Sequence, residues 1–168
     1  MAEQVAVTHD VQQLLDKIKE VKFATLTTLN GQGKLHGRPM YTCAPGNDGA
    51  LWFFSEKDAQ KIGEIQANPQ VSLGYSDPDT ATYVTITGTA AVVEDQAKIK
   101  DLWREDFRGW FPKGADDPNI ALLRVDIENG EYWDEPGNVF VRAYAYVKAV
   151  TTGEKHQPTP EEQAKVQA

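Results

Sequence analysis

The chain has 168 residues, a length suited to one domain, and a domain of that size hides about 70% of its unfolded surface without disulfide or metal staples. Its 17 basic and 25 acidic residues give a formal charge of −8, which argues against nucleic acid and against an anionic membrane surface, because both need a basic face. A single cysteine, Cys43, excludes an internal disulfide framework; no apolar run approaches the ~20 residues that span a bilayer, and Met1–Gln4 opens no secretory leader, so a soluble cytoplasmic protein is expected.

The first element reads as a helix, with Val11, Leu14, Leu15, Ile18 and Val21 at helical spacing and Thr8 as its cap. The period then changes. Phe23 to Leu29 is rich in β-formers and ends at the turn pair Asn30-Gly31, and Leu35 to Cys43 returns as a strand. Pro39 inside that strand implies an edge, a bulge or a local end to pairing. After the loop at 44–49, Ala50 to Ser55 is a third strand. Asp58 caps a short helix through Ile62 and Ile65, which Asn68-Pro69 stops. Val71 to Tyr75 and Thr82 to Val93 are further strands, with a bulge at Gly88. Asp95 caps a helix carrying Ile99, Leu102 and Trp103, and Arg108 to Pro118 is a loop. Ile120 to Ile127 and Glu131 to Asp134 are the last clear strands. From Asn138 to Val150 a helical stripe (Phe140, Tyr144, Val147) competes with strand alternation (Val139, Val141, Ala143), and a helix after Pro136-Gly137 is preferred. The polar tail from Thr152 carries two prolines and is expected to fray. Six or so antiparallel strands with short helices between them point to a mainly β protein, a β-barrel with helical decoration.

Most chemical motifs dissolve on inspection. The run Gly31-Gln32-Gly33-Lys34-Leu35-His36-Gly37 has the wrong third gap for a dinucleotide fingerprint and opens a strand, so it reads as a hairpin turn. His9, His36 and His156 have no metal spacing, and no metal is expected. Cys43 lacks a histidine partner and reads as a small buried strand residue. Asp77/Asp79 and Asp116/Asp117 sit beside prolines and read as turn chemistry.

Arg38 and Lys61 carry the sharper signal. A hairpin centred on the 44–49 loop sets Arg38 near Ser55, and Lys61 falls in the first turn of the helix that follows. A guanidinium, a hydroxyl, an ammonium and free helix N–H groups then converge. Cations gain little from that end of a helix dipole, so an anion between them would explain the placement. Fixed arginine geometry with a lysine point charge suits a phosphate monoester, and two solvated surface cations are the bland alternative. Trp52, Phe53 and Phe54 flank this point, with Trp110 and Trp133 farther along. Most of these aromatics belong to a core or an interface, but one or two suffice to cover a flat, anion-tipped ligand such as flavin mononucleotide (FMN).

At this point the sequence resembles the general stress protein 26 branch of the pyridoxamine-phosphate-oxidase-like flavoproteins. The matching stretches are Gly37-Arg38-Pro39-Met40, Leu51 to Ser55, Lys61-Ile62, Asn68 to Leu73, Gly88-Thr89-Ala90, Trp110 to Gly114, Asp117-Pro118, Leu122 to Val125 and Glu131 to Asp134. The resemblance implies a six-stranded antiparallel split β-barrel over residues 8–150, homodimeric, with FMN in each of two interface clefts, and a polar tail over 151–168. It implies that Arg38 and Lys61 hold the phosphate, that Pro39 and Met40 run along the isoalloxazine edge, and that Phe54 and Ser55 line the site. Trp133 would reach flavin across the dimer, and Trp110 joins the set. Ala59-Gln60-Lys61 stands where the oxidases have Ser-Arg-Lys, which keeps Gln60 and Lys61 but weakens the phosphate grip. Cys43 replaces the oxidases' substrate lysine, and Val139-Phe140-Val141 replaces their Arg-x-His, so the pyridoxal-phosphate substrate site is absent. The expectation is an FMN-dependent oxidoreductase of unknown substrate, with no side-chain catalyst. The alternatives are a flavin-storage protein without catalysis, and a barrel using haem or a deazaflavin.

Overall fold

The computed structural model describes residues 9–43, 48–134, 148, 150 and 163–167. Helix α1 (His9–Val21) buries Val11, Leu14, Leu15 and Ile18 along one stripe, as the 3.6-residue period requires. Strands β1 (Phe23–Leu29) and β2 (Leu35–Tyr41) form the hairpin around Asn30. The Asn30 side-chain oxygen accepts the N–H groups of Gln32 and Lys34, both at 2.9 Å, and Gly33 takes φ +71°. The glycine run here is hairpin chemistry and opens no helix.

Strand β3 (Leu51–Glu56) leads into helix α2 (Gln60–Ala67), then come β4 (Gln70–Asp77), β5 (Thr82–Val93), helix α3 (Gln96–Leu102), a 3-10 turn (Glu105–Gly109), β6 (Ile120–Asp134) and β7 (Gln163–Gln167). All described pairings are antiparallel, in the order β2-β1-β4-β5-β6-β3, and β7 adds to the free part of the β6 edge. The chain is thus mainly β with three described helices. Pro39 lies on β2, the outermost strand of this order, where its missing N–H is tolerated.

One face of the sheet is apolar. Ala24, Leu26, Leu73, Tyr75, Val84, Ile86 and Tyr132 point inward, and α1 and α2 contribute Leu14, Ile18, Ile62 and Ile65 to the same core. A second cluster joins Trp52 and Phe54 to Ile99, Phe107 and Leu122. The other face of the sheet carries Phe23, Leu35 and Tyr83, all exposed.

The structure corrects several expectations. Seven strands are present among the described residues, not six, because the polar tail supplies β7. The tail does this by burying Val166, 3% exposed, in the main core. Strands expected at Ile120–Ile127 and Glu131–Asp134 are one strand, β6. The bulge announced by Gly88 leaves Glu128 as the extra residue on β6, and pairing resumes beyond it. Strands β2 and β3 do not form the hairpin ladder that set Arg38 opposite Ser55. β2 pairs with β1 and β3 with β6; among the described residues the chain just past β2 meets β3 through a backbone bond from the Cys43 N–H to the Trp52 carbonyl, 2.9 Å. Asp58 does not cap α2. Ala59 holds that position without a side-chain bond, and the Asp58 carboxylate accepts instead from the Asn119 amide at 3.1 Å. Asp95 does cap α3, accepting the N–H groups of Ala97 and Lys98. The Asn138–Val150 helix lies outside the described residues, except that Lys148 and Val150 are helical.

Candidate functional site

Arg38 sits in the middle of β2, opposite Leu26 of β1, so it shares the inward face of the sheet. Its side chain is only 15% exposed. Nη1 donates to the Thr28 hydroxyl at 2.6 Å, and Nη2 donates to Oε2 of Glu64 at 2.7 Å. Glu64 comes from the second turn of α2, which packs over β1, and its side chain is 5% exposed. The Thr28 hydroxyl donates to the same Oε2 at 2.6 Å; the Gln60 amide donates to Oε1 at 2.8 Å, and His36 Nδ1 lies 3.2 Å from that oxygen. The Thr28 hydroxyl above all, then His36 and Arg38, outweigh desolvation and hold the Glu64 carboxyl down to about 2.

Lys61 occupies the first turn of α2, half-buried, with no ion pair among the described residues. Burial lowers its pKa, the nearby Arg38 charge lowers it further, and Glu56 opposes both. The two cations therefore sit within Coulombic reach of each other. They do so at a helix start that no side chain caps; the Ile62 N–H is bonded to the Ala59 carbonyl at 2.9 Å, which leaves the N–H groups of Gln60 and Lys61 without an intrahelical partner.

The other expected residues are spread more widely. Ser55 is buried at the end of β3, its hydroxyl donating to the Glu56 carbonyl at 3.1 Å. The Phe54 ring packs among Trp103, Phe107 and Phe111, with centroids 5.1–5.9 Å away. Met40 is buried in the main core, while Pro39 faces the opposite side of β2 and is exposed. Trp110 is 55% exposed, its ring 5.9 Å from Tyr41. Trp133 stands on the outward face of β6 beside Tyr83 of β5. Arg38, Gln60 and Lys61 are thus brought together. Trp133 lies on strand β6, four strands from β2 and on the other face of the sheet.

Sequence reasoning missed Thr28, His36 and Glu64. Thr28 had a readable signal, since it is the polar residue in the buried register of Ala24, Leu26 and Thr28. Glu64 stands one helical turn after Gln60 and Lys61, a spacing that shares their face. Burial pushes the Cys43 thiol up to about 12, so no thiolate forms there at neutral pH.

A model of the family described as pyridoxamine 5'-phosphate oxidase like matches residues 9–157. General stress protein 26 of Bacillus subtilis is 32% identical over 122 residues, covering 70% of this chain and 84% of its own. Among solved structures, a candidate general stress protein 26 from Jannaschia sp. CCS1 superposes with a TM-score of 0.75 at 27% identity, over 96% of this chain and 100% of its own. A general stress FMN/FAD binding protein from Xanthomonas citri gives a TM-score of 0.67 at 27% identity, over 79% and 94%.

Proposed function

Because the chain belongs to the pyridoxamine 5'-phosphate oxidase-like family, in its general stress protein 26 branch, we propose that it is an FMN-binding split-barrel flavoprotein acting as an oxidoreductase in a general-stress role. The observation that carries this reading is the approach of Arg38 and Lys61 at the uncapped start of α2. A lysine that makes no ion pair among the described residues, beside open backbone donors, fits a phosphate ester. The Xanthomonas citri relative, an FMN/FAD binding protein, supports flavin as its bearer.

In this reading Arg38, Lys61 and the first N–H groups of α2 hold the phosphate, and Gln60 and Ser55 border it. The β2 backbone at Pro39–Met40 flanks the ring, Met40 through its main chain because its side chain is in the core. Phe54 and Trp110 belong to the aromatic wall around Phe107. Flavin, when bound, supplies the redox chemistry, and the chain supplies position and charge. No side chain is assigned as acid, base or nucleophile. The flavin-binding domain is taken as residues 8–150, with the tail adding β7 to its sheet.

Trp133 enters only through a second copy. Arg38 and Trp133 stand on opposite faces of one sheet, so a single flavin meets both when two chains share the cleft. The exposed Phe23, Leu35 and Tyr83 give the outward face the apolar character such a homodimer needs.

A storage role without catalysis is the second reading, and Cys43 favours it. A protonated thiol at the substrate-lysine position offers no charge to an anionic substrate. Anaerobic stopped-flow reduction by nicotinamide cofactors separates the two readings: flavin reduction supports an oxidoreductase, and none by any physiological donor supports storage.

The primary experiment is direct. Purified protein should be yellow and release FMN on denaturation. Lys61→Ala should weaken FMN binding by about 1.5–3 kcal/mol, the scale of a charge-assisted contact, and Arg38→Ala by a similar amount. Unchanged FMN affinity in both variants would overturn the assignment.

A further inference from the structure

Arg38 reaches the proposed phosphate site already bound to a carboxylate. We infer that Glu64 is the internal counter-ion of that site: it holds Arg38 in place when no ligand is bound, and it lowers the affinity for a phosphate monoester below what Arg38 and Lys61 alone would give. This rests on the Arg38–Lys61 reading of the phosphate site and deepens it.

The geometry supports both halves. A guanidinium carries five N–H donors. Arg38 commits one to Thr28 and one to Glu64, so three remain to meet an anion while the carboxylate stays in place. Glu64 cannot easily leave, because Thr28 and Gln60 also donate to it and its side chain is 5% exposed. Without it, the Arg38 charge would sit 15% exposed with no carboxylate partner, which is costly for a buried cation. With it, the charges of Arg38, Lys61 and Glu64 sum to one net positive unit rather than two when His36 is neutral, and Glu56, whose charge also reaches Lys61, lowers the total further. A phosphate monoester carries about −1.5 to −2 at neutral pH, so each unit of site charge counts strongly. A cleft balanced in this way favours exchangeable over permanent retention of flavin.

A purely structural brace predicts the opposite response to mutation. If Glu64 served only to position Arg38, removing its charge would loosen the guanidinium and weaken the ligand. The test titrates FMN and riboflavin, which lacks the phosphate, into wild type, Glu64→Gln, Lys61→Ala and the double variant Arg38→Met/Glu64→Met, in a low-salt buffer free of phosphate. Glu64→Gln should bind FMN roughly tenfold tighter, the effect of removing one nearby charge at intermediate dielectric. Its FMN affinity should fall more steeply with salt, and riboflavin affinity should not change. The double variant removes a self-compensated pair and should weaken FMN less than about threefold, against tenfold or more for Lys61→Ala. Glu64→Gln binding FMN equally or more weakly overturns the inference. So does a double variant that loses as much as Lys61→Ala, which keeps the test decisive if Glu64→Gln fails to fold. Failure of the underlying site reading looks different, because Lys61→Ala would then bind FMN as tightly as wild type.

Discussion

The Glu64 carboxyl is held at about 2 by the Thr28 hydroxyl first, with His36 and Arg38 adding to it, against an ordinary value of 4.5. A carboxyl depressed on folding stabilises the native state fully above its unfolded value, and that contribution is lost as the pH falls toward its folded value. The stability of the ligand-free protein should therefore decline between about pH 4.5 and pH 2. Thermal melts across that window should show a shallower decline in Glu64→Gln, which has no proton to take up at that site. Matching slopes in the two proteins would remove the carboxylate from the acid response. Cys43 shifts the other way, because there burial outweighs the hydrogen bonds, favours the neutral thiol and takes it out of nucleophilic chemistry.

Helices α2 and α3 solve the same problem differently. Asp95 caps α3 with its own side chain, while α2 begins at Ala59 with none, and the proposed ligand would use those open donors. The β5–β6 ladder depends on a close approach at the bulge. A Cβ on Gly88 would fall on the carbonyl oxygen of Asp126, far inside contact distance. Backbone on both sides cannot yield as a flexible side chain would. Gly88→Ala should thus cost about 1–3 kcal/mol, read as a lower urea midpoint with an unchanged slope. A midpoint equal to wild type would mean that the ladder relaxes around the methyl group.

Across the described residues, the sheet separates an apolar inner face, covered by α1 and α2, from an outer face that keeps Phe23, Leu35 and Tyr83 exposed. The net charge of −8 disfavours indiscriminate association, so a partner for that face must fit it in shape. The proposed homodimer predicts a light-scattering mass of twice 18.6 kDa at micromolar concentration. A stable monomer would separate Trp133 from the phosphate site and confine the flavin to residues of one chain. Among the described residues, no helix is long and apolar enough to cross a membrane.

Local chemistry decided much of this in the sequence itself. The α1 stripe, the Asn30 turn, the Asp95 cap and the bulge at Gly88 were all legible, because each depends on a residue's own backbone preference or on neighbours within a few positions. The approach of Arg38 to Lys61 was also expected, but for the wrong reason. It comes from α2 packing over β1, not from a β2–β3 hairpin. Only the tertiary structure gave Arg38 a carboxylate, took Asp58 away from the helix it was expected to cap, and recruited the tail as β7. Each of these joins groups far apart along the chain, and nothing in local spacing states which buried donor will meet which acceptor. Packing settles that, because a charge removed from water must find a partner wherever the fold provides one.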